Sequence, residues 1–194
     1  MAAAPGSRQG VEIRRIEGAL APADLAELSD LLVDAVDGGA SVGFLSPMER
    51  GTALGYWQGV SDTLTAGDGL SLWVAAEAGA HGAAIGTVQV ELCGKENGLH
   101  RAELQKLLVH SSQRRTGVGA ALIAIAEEHA AASGRSLLIL DTQAGSAAES
   151  VYQRCGWQRA AEIPSFAASP DGELHATVFY YKRLRAPTAG GAAL

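Results

Sequence analysis

Cysteine is nearly absent: the 194-residue chain has only Cys93 and Cys155. They form no CxxC and have no companion histidine at ligand spacing, so neither a disulfide framework nor a zinc site is signalled, and a reducing, cytoplasmic setting is expected. Apolar runs are short. Residues 1–10 are small and polar, without the continuous apolar core of a signal peptide, and eighteen apolar residues never run together, so neither export nor a membrane span is expected. Basic charge is also short: 15 Lys and Arg against 21 Asp and Glu leave a net charge of −6. That balance gives no electrostatic footprint for nucleic acid or an anionic membrane, and it favours basic or zwitterionic small molecules as partners. No internal repeat is evident.

What is present is a chain that is 47% hydrophobic and long enough for one domain with a proper core, expected over residues 11–185 between a loose start (1–10) and a loose Ala/Gly/Pro tail (186–194). Val11 to Ile16 alternates as a strand. Pro22 then opens a helix with Leu25, Leu28, Leu32 and Val36 on one face, ended by Gly38-Gly39. A second helix is predicted from Pro47 to about Leu64, with Leu54, Trp57, Val60 and Leu64 as its face. Strands over Leu70–Ala76, Ala83–Leu92 and Arg101–Val109, joined by glycine-rich turns, predict an antiparallel meander. A helix from Gly117 to about Ser133 leads to Leu137–Leu140, a run without alternation that suits a strand covered on both faces. Strand, crossover helix and strand predict one parallel βαβ unit. A helix over Ser146–Arg154 and two last strands, near Trp157–Ile163 and His175–Lys182, complete a mixed α/β chain.

The stretch from Leu104 to Leu122 carries the first chemical signal. Buried strand, polar loop and glycine-marked helix start make an anion site: unpaired N–H groups at the helix N-terminus point into the loop, the helix dipole adds partial positive charge, and Arg114 and Arg115 add full charges. Small residues at Gly117 and Gly119 let a diphosphate approach the amides. The anion is not that of a P-loop, because no lysine follows either glycine. Nor does a dinucleotide fingerprint fit, because Leu122 stands where glycine or alanine is wanted and only one βαβ unit is predicted.

Two motifs then bring a family into view. Arg114-Arg115-Thr116-Gly117-Val118-Gly119 resembles the R/Q-x-x-G-x-G/A signature of the GCN5-related N-acetyltransferases (GNATs), and Ala148-x-x-x-Tyr152-x-x-x-Gly156-Trp157 resembles their later A-x-x-x-Y-x-x-x-G-F element. Within that superfamily, Gly38 to Phe44, Asn97 to Leu107, Leu140-Asp141-Thr142, Gly145-Ser146 and Pro170-Asp171-Gly172 resemble the tabtoxin-resistance acetyltransferases, over roughly residues 11–185. The resemblance implies the GNAT fold, a mixed, mostly antiparallel sheet of six to seven strands with about four helices. It also implies acetyl-CoA as cofactor, its pyrophosphate on the backbone of Gly117, Val118, Gly119 and Ala120 beside Thr116, its pantetheine arm paired strand-like with Leu107, Leu108 and Val109, and Ser146 helping to hold it. Tyr152 matches the family tyrosine near the cofactor sulfur and is expected to give the leaving thiolate its proton. Dimers are common among proteins that resemble this one; the sequence itself carries no signal of oligomeric state.

Acetyl transfer to an amine also needs a base and close approach of both substrates. Glu103 and Asp141 are the best carboxylates for this. Period-two alternation predicts Glu103, Gln105 and Leu107 on one face of their strand, and Asp141 ends the adjacent parallel strand. Glu103 is expected as base and Asp141 as substrate anchor, with the reverse assignment left open. The absence of a placed Cys–His pair argues for direct transfer in a ternary complex. Phe44 is expected to line the acceptor pocket, and acceptor preference to depend on the loops around Phe44 and Ser165–Leu174; Trp57, Trp73 and Trp157 are expected in the core, with Trp57 lining a pocket beside Phe44 as the alternative. The acceptor implied is a small amino-acid-like or dipeptide-like amine, with an antibiotic among the candidates; an acceptor on a protein, or a non-catalytic acyl-CoA sensor, are the alternatives. The histidines are expected in surface or packing roles, His81 in a solvent-facing turn, and both cysteines as small buried apolar groups.

Overall fold

The computed structural model describes residues 10–78 and 83–185, and the expectations for His81 and for both chain ends lie outside them. Seven strands, β1 (Val11–Ile16), β2 (Leu70–Glu77), β3 (Ala84–Leu92), β4 (Arg101–Val109), β5 (Leu137–Gln143), β6 (Gln158–Ala168) and β7 (Leu174–Arg183), form one sheet in the order β1-β2-β3-β4-β5-β7-β6. Every neighbouring pair is antiparallel except β4 and β5. Four α-helices, α1 (Pro22–Asp37), α2 (Arg50–Ala66), α3 (Val118–Ala132) and α4 (Ala147–Arg154), accompany it. α2 starts three residues later than the sequence predicts, after an extended Glu49 that serves as its N-cap. β6 runs to Ala168, five residues farther than predicted, because its pairing with β7 continues to Leu174.

The helices divide two cores between the faces of the sheet. Leu28, Leu31, Leu32, Ala35 and Val36 of α1 meet Ala53, Trp57 and Val60 of α2 over one face. Val118, Leu122, Ile123, Ala126 and Ala130 of α3 pack with Tyr152 and Trp157 on the other. α3 lies close on the sheet at Gly86 of β3: a Cβ there would come within 3.0 Å of Leu122 and Val118 and 3.1 Å of the Leu108 carbonyl. All three tryptophans are core, as expected. The cysteines are not: both are free but only half-buried, Cys93 with its sulfur 3.5 Å from an Arg101 nitrogen.

Two irregularities in β4 open the site. First, β4 and β5 pair only over Arg101–Glu103 with Leu137–Ile139, after which β5 continues on β7 alone. Second, β4 bulges: Thr87 faces Leu108 and Gln89 faces Gln105, so Lys106 and Leu107 oppose the single residue Val88, with Lys106 at φ +47°. A bulge inserts one residue and turns every later side chain to the opposite face. The shared face predicted for Glu103, Gln105 and Leu107 is therefore corrected. Leu104 and Leu107 both pack toward α3, whereas Leu108 packs toward α1 and α2.

Candidate active site

The candidate cofactor end is built from backbone. Gly117 is the N-cap of α3 at φ +95°, a left-handed conformation that glycine adopts without a Cβ penalty. The first amide in α3 with a helical-type acceptor is that of Ala121, bonded to the Gly117 carbonyl at 3.1 Å. The amides of Val118, Gly119 and Ala120 are thus the orphan donors expected at a helix start. A Cβ on Gly119 would sit in ordinary contact, 3.5 Å from Val109, so it is Gly117 whose geometry demands glycine. The loop before α3 is braced from α1: Asp34 accepts from the amide and hydroxyl of Ser111 at 2.8 and 2.7 Å, and His110 stands 3.7 Å away. Thr116 ties the loop to itself through the Gln113 carbonyl at 2.7 Å.

Arg114 and Arg115 differ in placement. Arg115 holds φ +66° and is exposed, whereas Arg114 lies over the C-terminal end of α1, where a Cβ on Gly38 would meet its guanidinium at 2.8 Å. Along β4, the edge from Leu104 to Val109 has no strand partner on the β5 side, which leaves extended backbone free to pair with an extended ligand arm. Ser146 occupies the N-cap position of α4, yet its side chain makes no capping bond and lies 3.4 Å from the Thr142 hydroxyl. Glu149 takes up the Gly145 amide at 2.6 Å instead.

The reactive candidates reach the gap between β4 and β5 from both faces of the sheet. Leu138 and Leu140 point toward α3, so Ile139, Asp141 and Gln143 point the other way, toward α1 and α2. Glu103 and Gln105 share that face, Gln105 donating to Glu91 at 2.8 Å. Burial pushes the Glu103 carboxyl above the usual carboxylate range; the negative charges of Asp141 and Glu91 push the same way, against the pull of Gln105 and Arg101. Tyr152 enters from the opposite face. Its ring is buried against Trp157 and Tyr180, with centroids 5.9 and 6.1 Å away, and among the described residues its hydroxyl has no hydrogen-bond partner. Burial, aided by Asp141, drives the phenol well above its ordinary value, so it keeps its proton at neutral pH.

The acceptor end is built from side chains that the sequence did not bring together. Phe44 stands edge-on to Tyr56, centroids 5.5 Å apart, while Trp57 is fully buried beneath; Tyr56, not Trp57, is Phe44's partner at this site. Tyr56 exchanges hydrogen bonds with Gln89, and burial pushes its phenol up to about 12. Lys106, on the bulge, donates to the Val42 carbonyl at 2.9 Å beneath these two rings. A signal for the bulge was available: Leu104-Gln105-Lys106-Leu107-Leu108 breaks alternation with two polar and then two apolar residues. Farther out, a cavity of about 420 Å³ lies between the loop after α1 and the β6–β7 turn, lined by Asp37, Ser46, Gln143, Asp171 and His175 among others. The two loops touch through the Ser46 amide and the Pro170 carbonyl at 2.8 Å. His129 is remote from the gap, packed on Trp73 and 3.1 Å from the Ser71 hydroxyl.

Comparison with known proteins agrees with this fold. Residues 68–159 match the family model of the acetyltransferase (GNAT) domain. A ribosomal-protein-alanine N-acetyltransferase from Brucella melitensis is 23% identical, with 89% of this chain and 99% of that chain covered and a TM-score of 0.70. A protein from Salmonella typhimurium, assigned as an acetyltransferase and solved with its cofactor acetyl-CoA, is 17% identical over 95% of this chain and 100% of that one, TM-score 0.70. A protein assigned as a phosphinothricin N-acetyltransferase is 16% identical over 90% and 99%, TM-score 0.70. At these identities the likeness to each structure is one of fold. Residues 68–159 thus match the GNAT acetyltransferase domain, and the chain as a whole has the fold of these solved structures.

Proposed function

We propose that the chain acetylates the amine of a small amino-acid-like or dipeptide-like molecule by direct transfer in a ternary complex. The observation that carries this reading is the gap between β4 and β5, entered by two carboxylates from one face and by an unbonded tyrosine hydroxyl from the other. Acetyl-CoA supplies an activated thioester acyl group. The orphan amides of Val118, Gly119 and Ala120 would hold its pyrophosphate with Arg115 alongside, and the open edge Leu107–Val109 would pair with its pantetheine arm. Arg114 over α1, Thr116 in the loop and Ser146 at α4 are the outer contacts of the same cradle.

Glu103 takes one proton from the acceptor ammonium, directly or through water, which frees the nitrogen lone pair to attack the thioester carbonyl; the second proton, shed as the amide forms, makes good the one that Tyr152 gives to the sulfur. The raised proton affinity of Glu103 suits it to its task better than that of an ordinary carboxylate. Asp141 holds the acceptor ammonium and keeps Glu103's affinity raised. A backbone N–H near Leu108 or Val109 polarises the carbonyl. Tyr152 gives its proton to the sulfur as the C–S bond breaks, so no charged thiolate is released into a half-buried site. Phe44 and Tyr56 wall the acceptor side.

The resemblance of Gly38–Phe44, Asn97–Leu107 and Pro170–Gly172 to tabtoxin-resistance acetyltransferases supports the amino-acid-like acceptor and, with it, a detoxifying or resistance role. The two free cysteines suit a reducing cytoplasm. The test is thiol release from acetyl-CoA over a panel of amino acids, dipeptides, β-lactam dipeptides and alanine-ended peptides, with mass spectrometry of products. Acceptor-dependent thiol with the small amines supports the reading. Turnover of the peptides alone moves the acceptor to proteins, and tight acetyl-CoA binding without turnover of anything makes the chain a sensor.

A further inference from the structure

Lys106 is a charge that the chemistry above does not use. It sits on the β4 bulge, on the Glu103 and Asp141 side of the sheet, in a left-handed conformation that aims its stem at the loop after α1. The ammonium is mostly withdrawn from water: burial pulls its pKa down, while the charges of Asp141 and Glu103 pull it up. Among the described residues its three donors meet one oxygen only, the Val42 carbonyl at 2.9 Å, and the rings of Tyr56 and Phe44 lie at 5.5 and 6.0 Å. Among the described residues no carboxylate comes within ion-pair distance of it. A partly desolvated ammonium with two free N–H donors is an unfilled anion site, because such a charge is costly unless it is paired.

Two carboxylates and one such ammonium border the same acceptor space. That is the complement of a zwitterion, with its nitrogen toward Glu103 and Asp141 and its carboxylate toward Lys106. We propose that Lys106 is the carboxylate anchor of the acceptor, which restricts the enzyme to amines bearing a free carboxylate a few bonds from the reacting nitrogen. This rests on the acetyl-transfer reading and narrows it. The carboxylate would complete the ammonium's hydrogen bonds with a charge-assisted pair while the rings exclude water from one side.

The test compares single amino acids and dipeptides with their carboxyl-amidated forms, at saturating acetyl-CoA, in the wild type and in Lys106→Met, whose unbranched stem still covers the rings. The wild type is expected to favour the acid over the amide by about tenfold or more in kcat/KM, chiefly through KM. The variant is expected to lose that preference while its turnover of the amides and its KM for acetyl-CoA stay close to wild type. Equal use of acid and amide by the wild type, a comparison that needs no variant, overturns the proposal. So does a variant that loses both acceptors in the same proportion, the signature of a lysine that merely ties the Val42 loop to the bulge. If the wild type acetylates no amine at all, the acetyl-transfer reading itself falls and this inference with it.

Discussion

The two ends of the β4–β5 gap are built on different principles. The cofactor end is made of main chain: a left-handed Gly117, the orphan amides that follow it and an unpaired strand edge. Its requirements are local, so contiguous residues satisfy them. The acceptor end is made of side chains from separate elements: Glu103 and Lys106 from β4, Asp141 and Gln143 from β5, Tyr56 from α2, Phe44 and Ser46 from the loop after α1, and Asp171 from the β6–β7 turn. Glu103 and Lys106 are half-buried and make no ion pair among the described residues, and Asp141 is exposed. A main-chain cradle tolerates varied side chains and serves one constant ligand, whereas a side-chain pocket is retuned by single substitutions.

Substitutions can break that contrast. The largest effect is expected where the two ends meet: Tyr152→Phe should lower kcat by about 10²–10⁴-fold with little change in either KM, because the ring still fills its place between Trp157 and Tyr180 and only the proton is lost. Unchanged turnover in steady-state assays would remove the tyrosine from the chemistry. Next comes Gly117→Val, which forces a β-branched residue to φ +95° at a cost of about 1–3 kcal/mol. Acetyl-CoA affinity by calorimetry should fall about tenfold or more, with the acceptor KM spared. If acceptor KM rises equally, the ends are not separable.

A smaller effect sharpens the acceptor end through pH. Glu103 must be ionised to accept a proton, and its raised pKa puts the acidic limb of kcat/KM above the range of an ordinary carboxylate. Asp141→Asn removes a negative charge that helps raise it, so Glu103 sheds its proton more easily and the limb should move to lower pH. A limb that stays or moves up in the pH–rate profile would contradict the coupling. The smallest change expected is that of Tyr56→Phe: loss of the exchange with Gln89 costs about 1 kcal/mol of stability and raises the acceptor KM a few-fold, leaving acetyl-CoA binding alone.

Much of this was legible in order along the chain. The bounds of β4 match the prediction, α3 and α4 start within a residue of theirs, and the parallel βαβ unit follows from strand, helix and buried strand. The strand order across the sheet, with β7 inserted between β5 and β6, is a matter of pairing between distant segments that no local pattern records. The face of Leu107 was misjudged because strict alternation ignores the bulge, although the doubled polar and doubled apolar residues around Lys106 mark it. Between core and pocket, the two places the sequence leaves open for Trp57, the sequence alone does not choose. Helical geometry instead turns Trp57 into the core and its neighbour Tyr56 toward Phe44.

By itself, then, the sequence determined the elements and the glycine-marked helix start, because each depends on residues close in the chain and on backbone rules that act within a few residues, and it singled out the tyrosine and the two carboxylates as candidates. Only the tertiary structure decided that the carboxylates share one face while Tyr152 comes from the other, and that an underpaired lysine lies beneath two aromatic rings beside them. Those facts depend on where β4 and β5 part and on which face each side chain takes after the bulge, and both are set by packing between segments far apart in sequence.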